Sequence, residues 1–117
     1  MKNKKLRTKF EEYIKEEFID PELQLEFTSL KDKWINETLI VSDPTELYSN
    51  ENYQKIISLG DDIIPLLIKD MYNFKGDWSY ALKKITGDNP VKKESKGKID
   101  EIKKDWIDWY EARLRKN

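Results

Sequence analysis

The side chains with potential for chemistry in this sequence are carboxylates, lysines and tyrosines, because the chain holds no histidine and no cysteine. That excludes a nucleophile activated by histidine, a thiolate, and zinc held by nitrogen or sulfur. Adjacent carboxylates occur at Glu11-Glu12, Glu16-Glu17 and Asp61-Asp62. Such pairs serve acid–base catalysis when burial drives their pKa values apart. Here the glutamate pairs recur at near-turn spacing on an amphipathic segment, which makes them a solvated face. Asp61-Asp62 follows Gly60 at a helix start, where capping accounts for it. Gly60, Gly76, Gly87 and Gly97 are scattered, each near a helix end, so they form no phosphate-cradling loop. Thr86-Gly87-Asp88-Asn89-Pro90 reads as a helix C-cap followed by a proline stop. The expectation is a protein with no catalytic residues, no metal and no cofactor.

What remains are surfaces for a partner. Net charge is −1, but it is unevenly spread. Residues 1–9 carry five bases and no acid, residues 10–80 sixteen acids against six bases, and residues 81–98 six bases against two acids. Blocks of this kind steer association over a Debye length of about 8 Å. Asp77 is a predicted cap, and Trp78 follows it at the first position of a helix, where exposure is expected. Tyr48 and Tyr80 likewise have no place on an apolar stripe. Aromatic residues are favoured interface anchors, so Asp77, Trp78 and Tyr80 are the candidates for protein binding. Lys83 and Lys84, with Lys92 and Lys93 in the following loop, form a candidate patch for phosphates or nucleic acid. The patch has no arginine, the residue preferred for bidentate recognition, and the pI of about 5.6 is far from that of a basic nucleic-acid-binding domain.

The elements that position these residues read as helices. Leu6, Phe10, Tyr13, Ile14 and Phe18 are spaced for an amphipathic helix over Lys4 to Phe18. Asp20-Pro21-Glu22 has an aspartate cap, proline at the first helical position and an acid by the positive end of the dipole. Leu23, Leu25 and Phe27 alternate as a strand would. Phe27, Leu30, Trp34 and Thr38 do not, and they predict a helix over 21–40. Asp43-Pro44-Thr45-Glu46 repeats the start signal in the manner of a capping box. Ser49 or Asn50 caps the next piece, where Tyr53, Ile56 and Ile57 face inward, and Gly60 ends it. Asp61 begins another helix, with Pro65 tolerated in its first turn and Ile64, Leu67, Ile68 and Met71 or Tyr72 inside. After the turn Lys75-Gly76-Asp77 comes a helix carrying Trp78, Ala81, Leu82 and Ile85, closed by Gly87. In the last helix, about Ile99 to Leu114, Ile99, Ile102, Trp106 and Trp109 mark one face, which Ile107, Tyr110 and Leu114 widen.

A chain of 117 residues suits a single domain, here 1–117, with residues 1–4 open to being a disordered tail. Four Trp, six Tyr and four Phe predict an aromatic core. No apolar run approaches the ~20 residues needed to span a bilayer, and the lysine-rich start lacks the apolar stretch of a secretory signal. A cytoplasmic location is expected.

The run Tyr53-Gln54-Lys55-Ile56-Ile57-Ser58-Leu59-Gly60, then Ile64-Pro65-Leu66-Leu67, then Trp78, Ala81-Leu82 and Ile85-Thr86-Gly87 resembles the paired helices of HEAT-like repeats. With Phe27, Leu30, Trp34, Glu37-Thr38, Ser42, Asn89-Pro90-Val91, Gly97, Trp106 and Trp109, the chain also resembles a group of short bacterial proteins associated with mobile DNA and toxin–antitoxin neighbourhoods. Members of that group often carry histidines where this chain has Asn50 and Asp77, so any chemistry those histidines perform is lost here. The resemblance implies an all-α fold of five to six helices: a HEAT-like antiparallel hairpin with flanking helices that cover its faces. The functional expectation is a non-catalytic protein-binding module, an inhibitor or accessory protein of a mobile-element, defence or toxin–antitoxin system. Its acidic half, Glu11 to Asp77, would meet a basic surface. A nucleic-acid-associated regulator using the lysines is the alternative, and a homo-oligomer is compatible with both.

Overall fold

The computed structural model describes residues 20–71 and 78–116. Among them are six α-helices and no strand: α1 (Pro21–Glu37), α2 (Pro44–Ser49), α3 (Glu51–Ser58), α4 (Ile64–Asp70), α5 (Ser79–Thr86) and α6 (Ile99–Lys116). Short 3-10 turns at Gly60–Ile63 and Lys93–Ser95 complete the path. The fold is all-α. The predicted helix over Lys4 to Phe18, the residue 1–4 tail, the two glutamate pairs, Tyr72 and the turn ending in Asp77 lie outside the described residues.

Helix starts follow the local signals. Asp20 accepts from the Glu22 amide at 3.0 Å, and Asp43 from the Thr45 amide at 3.0 Å. Asn50, rather than Ser49, caps α3, with Oδ1 accepting from Asn52 N at 2.9 Å and Tyr53 N at 3.4 Å. Each satisfies a first-turn N–H that has no intrahelical partner. Pro21, Pro44 and Pro65 all stand in first turns. Gly87 ends α5 at φ 75°, in the left-handed region that costs glycine nothing.

Several boundaries differ from expectation. α1 stops at Glu37 instead of residue 40: the backbone leaves helical geometry at Thr38 (φ −117°, ψ 17°), and the Val41 amide closes a turn onto the Thr38 carbonyl at 3.0 Å. The aspartates after Gly60 sit in a 3-10 turn and make no side-chain cap, and α-helical geometry begins only at Ile64. α6 continues to Lys116, and its first residue, Ile99, is 39% exposed instead of facing the core.

The core is continuous and strongly aromatic. α1 lies on α3, α3 on α5, and α4 on α6. Phe27, Leu30 and Trp34 of α1 are buried and Leu25 is exposed, which settles the helical spacing over the alternating one. Each indole N–H finds an acceptor on another segment: Trp34 on the Leu47 carbonyl at 2.8 Å, Trp78 on Asp70 at 2.9 Å, Trp106 on Ser79 at 2.9 Å and Trp109 on Asp88 at 3.0 Å. The large apolar body is thus buried without stranding its polar tip.

Candidate functional site

The end of α1 presents an apolar tip on a braced backbone. In the turn Thr38–Val41, Leu39 is 73% and Ile40 98% exposed. They lie off the buried stripe of α1, which ends with Trp34. The turn is held on two sides. Trp34 ties α1 to α2 through the Leu47 carbonyl. Glu37 Oε1 accepts from Asn50 Nδ2 and Asn52 Nδ2, both at 3.0 Å, pinning the start of α3 to the end of α1. Asn50 therefore serves as a helix cap and a brace. Glu37, Asp43 and Glu46 are exposed on the segments that flank the tip in sequence, and no base occurs between Lys33 and Lys55. An apolar centre with a charged rim is the general anatomy of a protein contact.

Beside it, Tyr48 of α2 stacks on Tyr80 of α5, with centroids 4.6 Å apart and planes 11° from parallel. Gln54 Nε2 donates to the Tyr48 carbonyl at 2.6 Å, and Lys84 Nζ lies 5.5 Å from the centre of the Tyr80 ring. Both tyrosines are half-buried. They share one packed surface.

Trp78 corrects the expectation of an exposed anchor. It is fully buried, 5.3 Å from Trp34, 5.5 Å from Tyr53 and 5.6 Å from Phe27 by ring centroids. It occupies the N-cap position of α5, one residue before the helix, and its ring turns into the core. Burying an aromatic ring of about 150–250 Å² outweighs the freedom of a helix terminus. The signal was present in the sequence: Trp78, Ala81, Leu82 and Ile85 are spaced i, i+3, i+4, i+7, the pattern of a buried stripe. Asp77 lies outside the described residues. Leu39 and Ile40 were hidden within the overlong α1.

Lys83 and Lys84 are exposed in the last turn of α5, where they complement the negative end of its dipole. Lys92 and Lys93 are exposed on the segment between α5 and α6. That segment is clasped from below by Asp105 of α6, whose Oδ2 accepts from Ser95 Oγ at 2.6 Å and Lys92 N at 3.1 Å. A hydroxyl on a carboxylate has the composition of an activated nucleophile, but Ser95 is 2% and Asp105 6% exposed. The pair is closed to solvent and clasps the segment to α6. Among the described residues no group of three or more carboxylates is placed to hold a metal ion. None of their helices is long and apolar enough to cross a membrane.

Compared with protein-family models, with curated proteins and with solved structures, the chain matches none.

Proposed function

We propose that this chain is a non-catalytic protein-binding module whose contact surface is the α1–α2 turn, with Leu39 and Ile40 entering an apolar pocket and Glu37, Asp43 and Glu46 facing bases around it. The observation that carries this is the near-complete exposure of two adjacent large aliphatics, 73% and 98%, on a turn braced by hydrogen bonds. Contiguous apolar exposure rimmed by charge marks interaction sites more often than isolated exposed residues do. A pre-braced turn also loses little conformational freedom on docking. The resemblance to short bacterial proteins associated with mobile DNA favours a cytoplasmic inhibitor or accessory protein in a mobile-element, defence or toxin–antitoxin setting. The HEAT-like pairing of helices is a separate resemblance, carried by residues 53–90, and it bears on the fold.

The test is a parallel capture from nuclease-treated native lysate with the tagged wild type and with Ile40→Asp. A stoichiometric protein held by the wild type and lost by the variant, at unchanged melting temperature, supports the turn as the contact. A protein held equally by both removes the turn from the interface.

A second reading is favoured by one observation. Lys83, Lys84, Lys92 and Lys93 are all exposed, and none joins the ion pairs formed among the described residues, Lys31–Asp70, Lys55–Glu51 and Lys104–Asp108. As a nucleic-acid contact they predict binding that weakens steeply with salt. Replacing the four with glutamate abolishes it.

A further inference from the structure

The two surfaces left over by the fold complement each other. The α1–α2 turn is apolar at its tip (Leu39, Ile40) and acidic at its rim, whereas the segment from Val91 to Ile99 is apolar at its ends and net basic between, with four lysines against the single acid Glu94. Val91 is half-buried, Ile99 is 39% exposed, and Lys92, Lys93, Lys96 and Lys98 are all exposed. No ion pair among the described residues joins the two surfaces within one chain, so their opposite charges face solvent. Both backbones are braced, the first by Glu37 and Trp34, the second by Asp105.

Resting on the assignment of the turn as a contact surface, we propose that one occupant of it is a second copy of this chain. The turn of one copy docks on the Val91–Ile99 segment of the next. Leu39 and Ile40 meet the aliphatics Val91 and Ile99, and the acids of the rim meet the lysines. Each copy carries both halves of the contact, so association is either reciprocal in a two-fold dimer or head-to-tail. A contact confined to one turn and one loop is small, and it belongs to the weak, charge-steered class whose dissociation constants lie in the micromolar to millimolar range.

Sedimentation velocity on the full chain tests this over a concentration series reaching about 1 mM. At low salt the wild type is expected to rise with concentration from the mass of one copy toward that of two, or beyond it where the contact is head-to-tail. The rise should vanish in about 0.5 M salt, where screening confines charge interactions to a few ångströms. Ile40→Asp and the double variant Lys92→Glu/Lys93→Glu should each stay at the mass of one copy. An equimolar mixture of the two should associate, because the first keeps its lysine segment and the second its turn. Circular dichroism melts establish that both variants fold. A wild type that stays at one copy throughout overturns the self-contact. So does association that survives Ile40→Asp, or a mixture that fails to associate. A monomeric wild type whose lysate partner is still lost on Ile40→Asp overturns the self-contact alone and leaves the binding-module function standing.

Discussion

Asp70 Oδ2 accepts the indole N–H of Trp78 at 2.9 Å, joining the end of α4 to the start of α5. The other oxygen of the same carboxylate holds Lys31 of α1 at 2.8 Å. One aspartate therefore gathers three helices and fixes the ring that stands among Phe27, Trp34 and Tyr53. Its side chain is only 15% exposed and that of Lys31 18%, so water competes weakly for either bond. The chemistry of this region is the chemistry of packing.

Replacing Trp78 with alanine is expected to cost about 3–5 kcal/mol, the range for emptying a fully buried aromatic site. Trp78→Phe keeps most of the apolar volume and removes the donor to Asp70, for a smaller loss of about 1–3 kcal/mol. Urea unfolding followed by circular dichroism measures both. A loss near zero for the alanine variant would put the ring at the surface.

Asp105→Ala is expected to remove about 1–3 kcal/mol, since it leaves the buried Ser95 hydroxyl and the Lys92 amide without their acceptor. Ser95→Ala should cost less, because Asp105 keeps the amide bond. The discriminating readout is hydrogen exchange at the Lys92 amide, which accelerates in the aspartate variant and is nearly unchanged in the serine variant.

At Gly87 an added Cβ meets nothing within 4 Å, so Gly87→Ala isolates the backbone cost of φ 75°. That cost is about 1–2 kcal/mol for an L-residue in the left-handed region. Gly87→Asn should cost less, asparagine being tolerated there. Equal stability of the alanine variant and the wild type would mean that α5 can end in another conformation.

Lys104 of α6 donates to Asp108 at 2.7 Å, and that bond, then the Asp108 charge, raises the pKa of the lysine above its usual value. A raised folded-state value means the stabilisation is complete below the unfolded lysine pKa of about 10.4 and disappears as pH climbs through the folded one. Both side chains are about half exposed, so the coupling belongs to the weak surface class of about 0.3–0.5 kcal/mol. A double-mutant cycle at neutral pH should detect it, and the same cycle above the raised pKa should give zero.

The sequence by itself determined the starts of α1, α2 and α3 and the end of α5, though not the end of α1 or the start of α4. Asp20, Asp43 and Asn50 cap helices by bonding amides two or three residues away, and Gly87 ends one by its own φ. Such signals act within a single turn of chain, so they are readable without knowing the neighbours. The absence of histidine and cysteine was equally plain, and it bounded the chemistry. Only the tertiary structure decided which apolar residues are inside. Trp78 is core because α1 and α3 enclose it, and Tyr48 meets Tyr80 across 32 positions of sequence. Leu39 and Ile40 are outside because they lie off the buried stripe of α1, on a turn held by contacts from Leu47, Asn50 and Asn52. Burial is a property of the volume that distant segments share, and periodicity along one helix specifies a face without saying what covers it.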